Sequence, residues 1–173
     1  MSKPSSLRTI FRLLFEHAAR SVDPSTHNAA LLEPAKRYMV PGVPLSLLTC
    51  NQFPDGLAVT PERLTDRDTK LGYMDHAETG AIHLAARRGI TTEGAILYCL
   101  WAPCQMCARA IIRSGISTLV VYGPLMKMTP PRWAAAVTKG LEMLDEAQVA
   151  WRQFVEPLGG DLPHRFNGEL WYP

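Results

Sequence analysis

No stretch of this sequence approaches the roughly 20 consecutive apolar residues that a membrane-spanning helix needs, so no membrane partner is expected. The first twenty residues alternate apolar and basic side chains and lack the uninterrupted apolar core of a signal peptide. Cysteine is scarce: four residues do not make a disulfide framework, and a reducing, cytoplasmic setting follows. Net charge is scarce too. Eighteen Lys and Arg against sixteen Asp and Glu leave +2, too little to announce a nucleic-acid binder, although one phosphate needs only a local basic cluster. Internal repeats, low-complexity segments and linkers are also missing. The expectation is therefore a single domain over residues 1–173, with a core of about 5–155 and a tail of 156–173, long enough to bury a real interior.

What is present reads as alternating helices and strands. Ser5 or Ser6 can cap a first helix whose Leu7, Ile10, Phe11, Leu14, Phe15 and Ala18 recur at helical spacing, with His17 at its surface or boundary. A turn at Asp23–Thr26 leads to a short strand at Asn28–Leu32. Pro34, Pro41 and Pro44 punctuate a loop before a second strand at Leu45–Cys50. The polar segment from Asn51 to Tyr73 reads as a loop that leads into a helix from His76 to Arg88, ended by Gly89. Ala95–Trp101 is a near-continuous apolar run, suited to a strand buried on both faces, with Cys99 as a small core residue. A helix from Cys104 to Ser114, a strand at Thr118–Tyr122, a helix from Pro131 to about Ala147 and a strand at Val149–Val155 follow. Strand, helix, strand at this length predicts a right-handed crossover and a parallel pair. The last segment, rich in Pro, Gly and aromatics, carries no assignment.

The chemistry concentrates between Asp75 and Cys107. His76-Ala77-Glu78 offers one imidazole, and Pro103-Cys104-Gln105-Met106-Cys107 offers two thiols three positions apart, which share one helix face. Together they make three ligands for a tetrahedral zinc and leave its fourth position for water, the layout of a catalytic rather than a structural site. Pro103 suits a helix start, where its missing N–H costs little, and the helix dipole favours thiolate. Glu78 lies only two residues from His76, so the two do not share a face, and different roles fit better: His76 as ligand, Glu78 as proton carrier. The competing reading is a closed structural site with a fourth ligand drawn from Cys50, Cys99, His83 or His27, none of which has a matching paired spacing.

H-x-E followed by P-C-x-x-C resembles the signature of zinc-dependent nucleobase deaminases. The order of elements resembles the cytidine deaminase-like fold, an α/β three-layer arrangement with a mixed five-stranded sheet between helices. Asp23-Pro24-Ser25-Thr26, Asn51-Gln52-Phe53-Pro54-Asp55-Gly56, Arg67-Asp68-Thr69-Lys70, Leu97-Tyr98 and Ser114-Gly115-Ile116 look like the deoxycytidylate deaminase branch, over roughly residues 5 to 155.

That resemblance implies zinc on His76, Cys104 and Cys107, with Glu78 shuttling protons. It further implies sugar recognition by Asn51, and a base edge framed by the backbone at Ala77 and at Trp101-Ala102. It also implies a free nucleotide, dCMP, as substrate, and a homo-oligomer that is often a hexamer. Two positions depart from the branch: Gly80 stands where Asn is usual, and Leu125-Met126 falls where an aromatic often stacks on the base. Two expectations stand side by side: a roomier pocket that tolerates 5-substituted dCMP, or a Gly80 that merely accommodates a neighbouring side chain. Two other readings remain open. One is a tRNA adenosine deaminase-like enzyme, favoured by Met106; the other is a zinc-stabilised binding module without catalysis, which retention of Glu78 opposes.

Overall fold

A computed structural model describes residues 6–38 and 47–173. The Ser5 cap, the prolines at 41 and 44 and the first residues of the expected second strand lie outside the described residues. The first helix, α1 (Leu7–Ala18), is capped by Ser6, whose hydroxyl accepts from the Thr9 N–H, and buries Ile10, Phe11, Leu14, Phe15 and Ala18 along one stripe. Each large apolar side chain so buried contributes about 1.5–3 kcal/mol. Strands β1 (Ala29–Glu33) and β2 (Leu48–Cys50) follow, then two short helices, α2 (Pro61–Thr65) and α3 (Arg67–Tyr73), in the segment expected to be a loop. Both carry regular caps: the Thr60 hydroxyl accepts from Arg63 N–H with Pro61 in the first turn, and the Asp66 carboxylate accepts from Thr69 N–H.

Helix α4 (Ala77–Arg87), strand β3 (Ile96–Cys99), helix α5 (Gln105–Arg113) and strand β4 (Thr118–Tyr122) come next. After them run helices α6 (Gly123–Lys127) and α7 (Pro131–Glu146), then β5 (Ala150–Phe154) and a terminal hairpin of β6 (His164–Phe166) and β7 (Glu169–Trp171). The main sheet is five-stranded, in the order β2-β1-β3-β4-β5. The first two pairings are antiparallel and the last two parallel, so the mixed sheet and the parallel crossover expected from the sequence are both found.

Strand alternation sends successive side chains to opposite faces, and the two faces are covered differently. On one side Ala29, Tyr98, Val120 and Tyr122 pack under α1 and the C-terminal segment, where Leu158, Leu162 and Phe166 join the core. On the other, Ala30, Leu97, Cys99, Leu119 and Val121 pack under α4, α5 and α7 through Ala77, Ala81, Ala85, Ala108, Ile111 and Leu144. The tail left unassigned by the sequence is thus part of the interior. Among the described residues no helix is long and apolar enough to cross a membrane.

The hairpin brings in an unusual group. His164 is 1% exposed, its ring lies edge-on 4.7 Å from Phe15, and among the described residues neither ring nitrogen has a hydrogen-bond partner. Burial, helped by the nearby His27, pushes its pKa down from 6.5 to about 3. The unfolded chain therefore takes up a proton below pH 6.5 that the folded protein refuses until about pH 3, and stability falls as pH falls through that window. At about pH 5 the loss is roughly 2 kcal/mol, at 1.36 kcal/mol per pH unit. His164→Phe is expected to remove it. Urea denaturation at about pH 5 and about pH 7.5 checks this: a variant as acid-sensitive as the parent would show that His164 is not the source.

Candidate active site

Two helix N-termini meet at the site. His76 occupies the N-cap of α4 and Cys104 the N-cap of α5, both with extended backbone, and neither side chain makes the usual capping hydrogen bond. The cap positions are given over to other chemistry. Pro103 sits one residue before the cap rather than in the first turn, so its fixed φ shapes the entry to α5 instead of starting the helix. Other residues pin the two ends. Asn51 Oδ1 accepts from the Ala77 N–H at 3.0 Å, and the Thr49 hydroxyl donates to the Ala77 carbonyl at 2.7 Å. Behind Cys104, Gly140 of α7 lies so close that a Cβ there would stand 2.5 Å from the Pro103 carbonyl oxygen; only glycine lets α7 back the metal loop at this distance.

His76 Nδ1, Cys104 Sγ and Cys107 Sγ lie within 4.8 Å of one another. The separations are 3.7 Å between the two sulfurs, 3.7 Å from Cys104 Sγ to His76 Nδ1 and 3.3 Å from Cys107 Sγ to His76 Nδ1. With Zn–S of about 2.3 Å and Zn–N of about 2.0–2.1 Å, a tetrahedron has edges of roughly 3.8 Å (S to S) and 3.6 Å (N to S), so the three atoms fit zinc closely. Among the described residues no fourth His, Cys, Asp or Glu joins the group. Cys99 is instead within hydrogen-bond reach of Asn28, and His83 pairs with Asp75 at 3.4 Å. A closed structural site is thereby disfavoured.

The electrostatics suit a cation. The Cys104 thiol is pulled down to about 4 by a hydrogen bond from Cys107, against its burial and with help from His76. Cys107, the donor of that bond, is raised well above 9. Burial alone would lower His76, but the Cys104 thiolate and Glu78 outweigh it and raise the imidazole to about 9. Glu78 is 2% exposed, and burial lifts its carboxyl from 4.5 to about 7.

A cavity of about 270 Å³ opens over this group, lined by His76, Glu78 and Cys104 and by Asn51, Trp101 and Ala102 from the sequence expectation. Ala77 is not among the lining residues: it is fully buried, and its N–H is already taken by Asn51. Asn51 spends its other end on the Thr26 carbonyl, at 3.3 Å.

The two departures from the branch pattern lie elsewhere. Gly80 faces Thr49 and Asp75 in a separate groove behind α4, and Leu125, carried by the short α6, is fully buried in the α1-side core. Neither lines the cavity, so the expectation of a roomier pocket loses its basis.

The sequence reading missed the aromatic wall that does exist. Trp133, in the first turn of α7, stands 6.0 Å from Trp101, edge to face, and 6.1 Å from the His76 ring. Arg132 was missed as well; it and Arg67 line the cavity, where Arg67 lies 5.8 Å over Trp133 and Arg132 donates to Asn167 in the hairpin turn. An Arg-Trp pair at a helix start carries no signal of its own. Lys70 is spent on a buried pair with Asp23 at 2.7 Å.

The family described as the cytidine and deoxycytidylate deaminase zinc-binding region matches residues 16–123. The chain belongs to that family. Within it, the deoxycytidylate deaminase of Enterobacteria phage T2 is 38% identical over 85 residues, 49% of this chain and 45% of the relative, so the chain spans under half of that enzyme's length. The human deoxycytidylate deaminase is 27% identical over 146 residues, 82% of this chain and 75% of the relative. The structure of a dCMP deaminase from cyanophage S-TIM5, solved with dCMP and dUMP, superposes with a TM-score of 0.64 at 18% identity. It covers 89% of this chain and all of that one, which establishes the shared fold. The match to the family ends at residue 123, so α7 and the terminal hairpin, which supply Arg132, Trp133 and Asn167, lie beyond the matched zinc-binding region.

Proposed function

We propose that the protein deaminates the cytosine of a free pyrimidine nucleotide hydrolytically, converting dCMP to dUMP and ammonia. The observation that supports this best is Glu78: a carboxyl 2% exposed beside His76, Cys104 and Cys107, not needed as a ligand, with its pKa lifted to about 7. Burial that resists ionisation suits a carboxyl that both takes and gives protons. His76, Cys104 and Cys107 would hold zinc, which when bound supplies the Lewis acidity that makes water nucleophilic at neutral pH.

In this reading Glu78 takes a proton from the attacking water as the C4–O bond forms, and delivers it to N3. It then carries the remaining hydroxyl proton to the amino nitrogen, the C4–N bond breaks, and ammonia leaves with Glu78 again a carboxylate. Trp101 and Trp133 would flank the base, and Asn51 would border the sugar. Arg67, whose ion pair with Asp68 is long at 3.9 Å, and Arg132, which donates to the neutral Asn167, would meet the 5′-phosphate. Met106, which favoured a tRNA substrate, is 60% exposed and outside the cavity lining, so it bears on nothing the base would touch. The homo-oligomer and the cytoplasmic setting belong to this reading through the family resemblance.

The test is ammonia release from zinc-loaded protein given cytosine, adenine and guanine nucleosides and nucleotides. dCMP should be the preferred substrate, and Arg132→Ala should raise its KM about 10–100-fold, the worth of one charge-assisted hydrogen bond. Deoxycytidine used as well as dCMP, or adenosine preferred to both, overturns the assignment.

A further inference from the structure

Asn28 ends the loop that enters β1, is 4% exposed and lines the same cavity. Its side-chain oxygen accepts from two backbone groups, the Ala29 N–H at 3.0 Å and the Trp101 N–H at 3.3 Å. Only the carbonyl end of an amide can accept, so these two donors fix which way the group points. The amino end is left facing the site. It donates to Glu78 Oε2 at 3.3 Å, with Cys99 Sγ at 3.5 Å on the same side. The amide thus ties together the start of β1, the end of β3 and the buried carboxyl of α4.

We propose that Asn28 is a positioning residue for the deamination step: it pins Glu78 Oε2, so that Oε1 is the oxygen that takes and returns protons. This rests on the deaminase reading above. Two features support it. A Glu side chain has three rotatable bonds, and a buried carboxylate oxygen without a donor is costly, so the bond restrains the group and satisfies it at once. The donor is itself held by backbone at two points, which gives the carboxyl a rigid anchor rather than another mobile side chain.

The deciding variant is Asn28→Asp. It keeps the shape and an oxygen able to accept from Ala29 and Trp101, but it loses the donor and sets a second carboxyl against Glu78. Because the backbone contacts survive in this variant, a loss of kcat with zinc content and dUMP affinity retained is not explained by loss of the backbone anchor. If Asn28 positions Glu78, kcat for dCMP falls about 10–100-fold at neutral pH and above while KM changes little, as expected for one hydrogen bond to a charged group that matters in the transition state. Binding supplies a readout independent of turnover. Affinity for the product dUMP should hold within about threefold, whereas the 2-pyrimidinone deoxyribonucleotide, which adds water at C4 and so resembles the addition state, should bind about 10–100-fold more weakly.

Should Asn28→Asp fail to fold, Asn28→Leu removes the donor without adding charge; because it also removes the acceptor for the Ala29 and Trp101 N–H groups, only a loss of kcat with zinc content and dUMP affinity retained counts for positioning there. A variant with wild-type kcat, a loss confined to KM, or a loss explained by missing zinc each overturns the positioning role. Wild-type protein that releases ammonia from no nucleotide sinks the deaminase reading instead, so the two failures are told apart.

Discussion

Glu78→Gln is expected to keep its zinc and its fold and to lose about 10²–10⁴-fold in kcat, the usual worth of general acid–base transfer. The substitution is isosteric and leaves His76, Cys104 and Cys107 untouched. The Asn28 amino group, 3.3 Å from Glu78 Oε2, faces the new amide and selects its carbonyl end as acceptor. The amide nitrogen then turns toward the cavity, where a group that takes protons is required, so the variant fails at both the water-activating and the ammonia-releasing transfers. Stability should move the other way. Burial raises the Glu78 pKa to about 7, so in the metal-free protein the folded state increasingly resists ionising this group as pH rises above about 4.5, and a neutral amide removes that burden. A more stable and nearly inactive Glu78→Gln, read by ammonia release and thermal denaturation of the metal-free protein above neutral pH, is the expected result. Retained turnover with an unchanged pH profile would mean that another group moves the protons.

How far the sequence reached follows from the kind of signal each part carries. The long helices and the main strands were legible because their burial stripes repeat at 3.6 or 2 residues: α1 buries Ile10, Phe11, Leu14 and Phe15, and Val120 faces one layer while Leu119 and Val121 face the other. The metal group was legible because an imidazole and two thiols at fixed spacing suit little besides a soft or borderline metal ion. Helices α2 and α3 were not, because they are one or two turns long and among them only Lys70 is buried. Their caps, Thr60 before Pro61 and Asp66 three residues before Thr69, were nonetheless in plain sight.

The terminal hairpin had a signal too: Asn167-Gly168, both with positive φ, is the two-residue turn that hairpins favour. It was obscured because each flanking strand has only three residues. The cavity wall was the least legible. Whether Leu125 or Trp133 meets a ligand depends on how α6 and α7 are placed, and α6 carries Leu125 into the core while the start of α7 brings Trp133 to the cavity.

Replacing Cys104 or Cys107 with Ala is expected to abolish stoichiometric zinc, from about one per chain to little above background, because two remaining ligands hold the ion poorly. Binding energy is also folding energy. Zinc at about 1,000 times its dissociation constant adds roughly 4 kcal/mol, and in a domain of this size each kcal/mol is worth about 2–4 °C, so wild-type protein should melt about 8–16 °C above its chelated form. Neither variant should respond to chelator. The protonation of the metal-free trio adds a second, sharper readout. At neutral pH Cys104, held down to about 4 by its bond from Cys107, is already thiolate, while Cys107 is a thiol and His76, raised to about 9, is imidazolium. Ligation requires thiolate and neutral imidazole, so binding should expel about two protons, one from Cys107 and one from His76, and affinity should rise with pH. Titration calorimetry in buffers of different ionisation enthalpy counts those protons. Zinc uptake by wild-type protein without proton release, or full zinc retained in both alanine variants, would remove this trio as the ligand set.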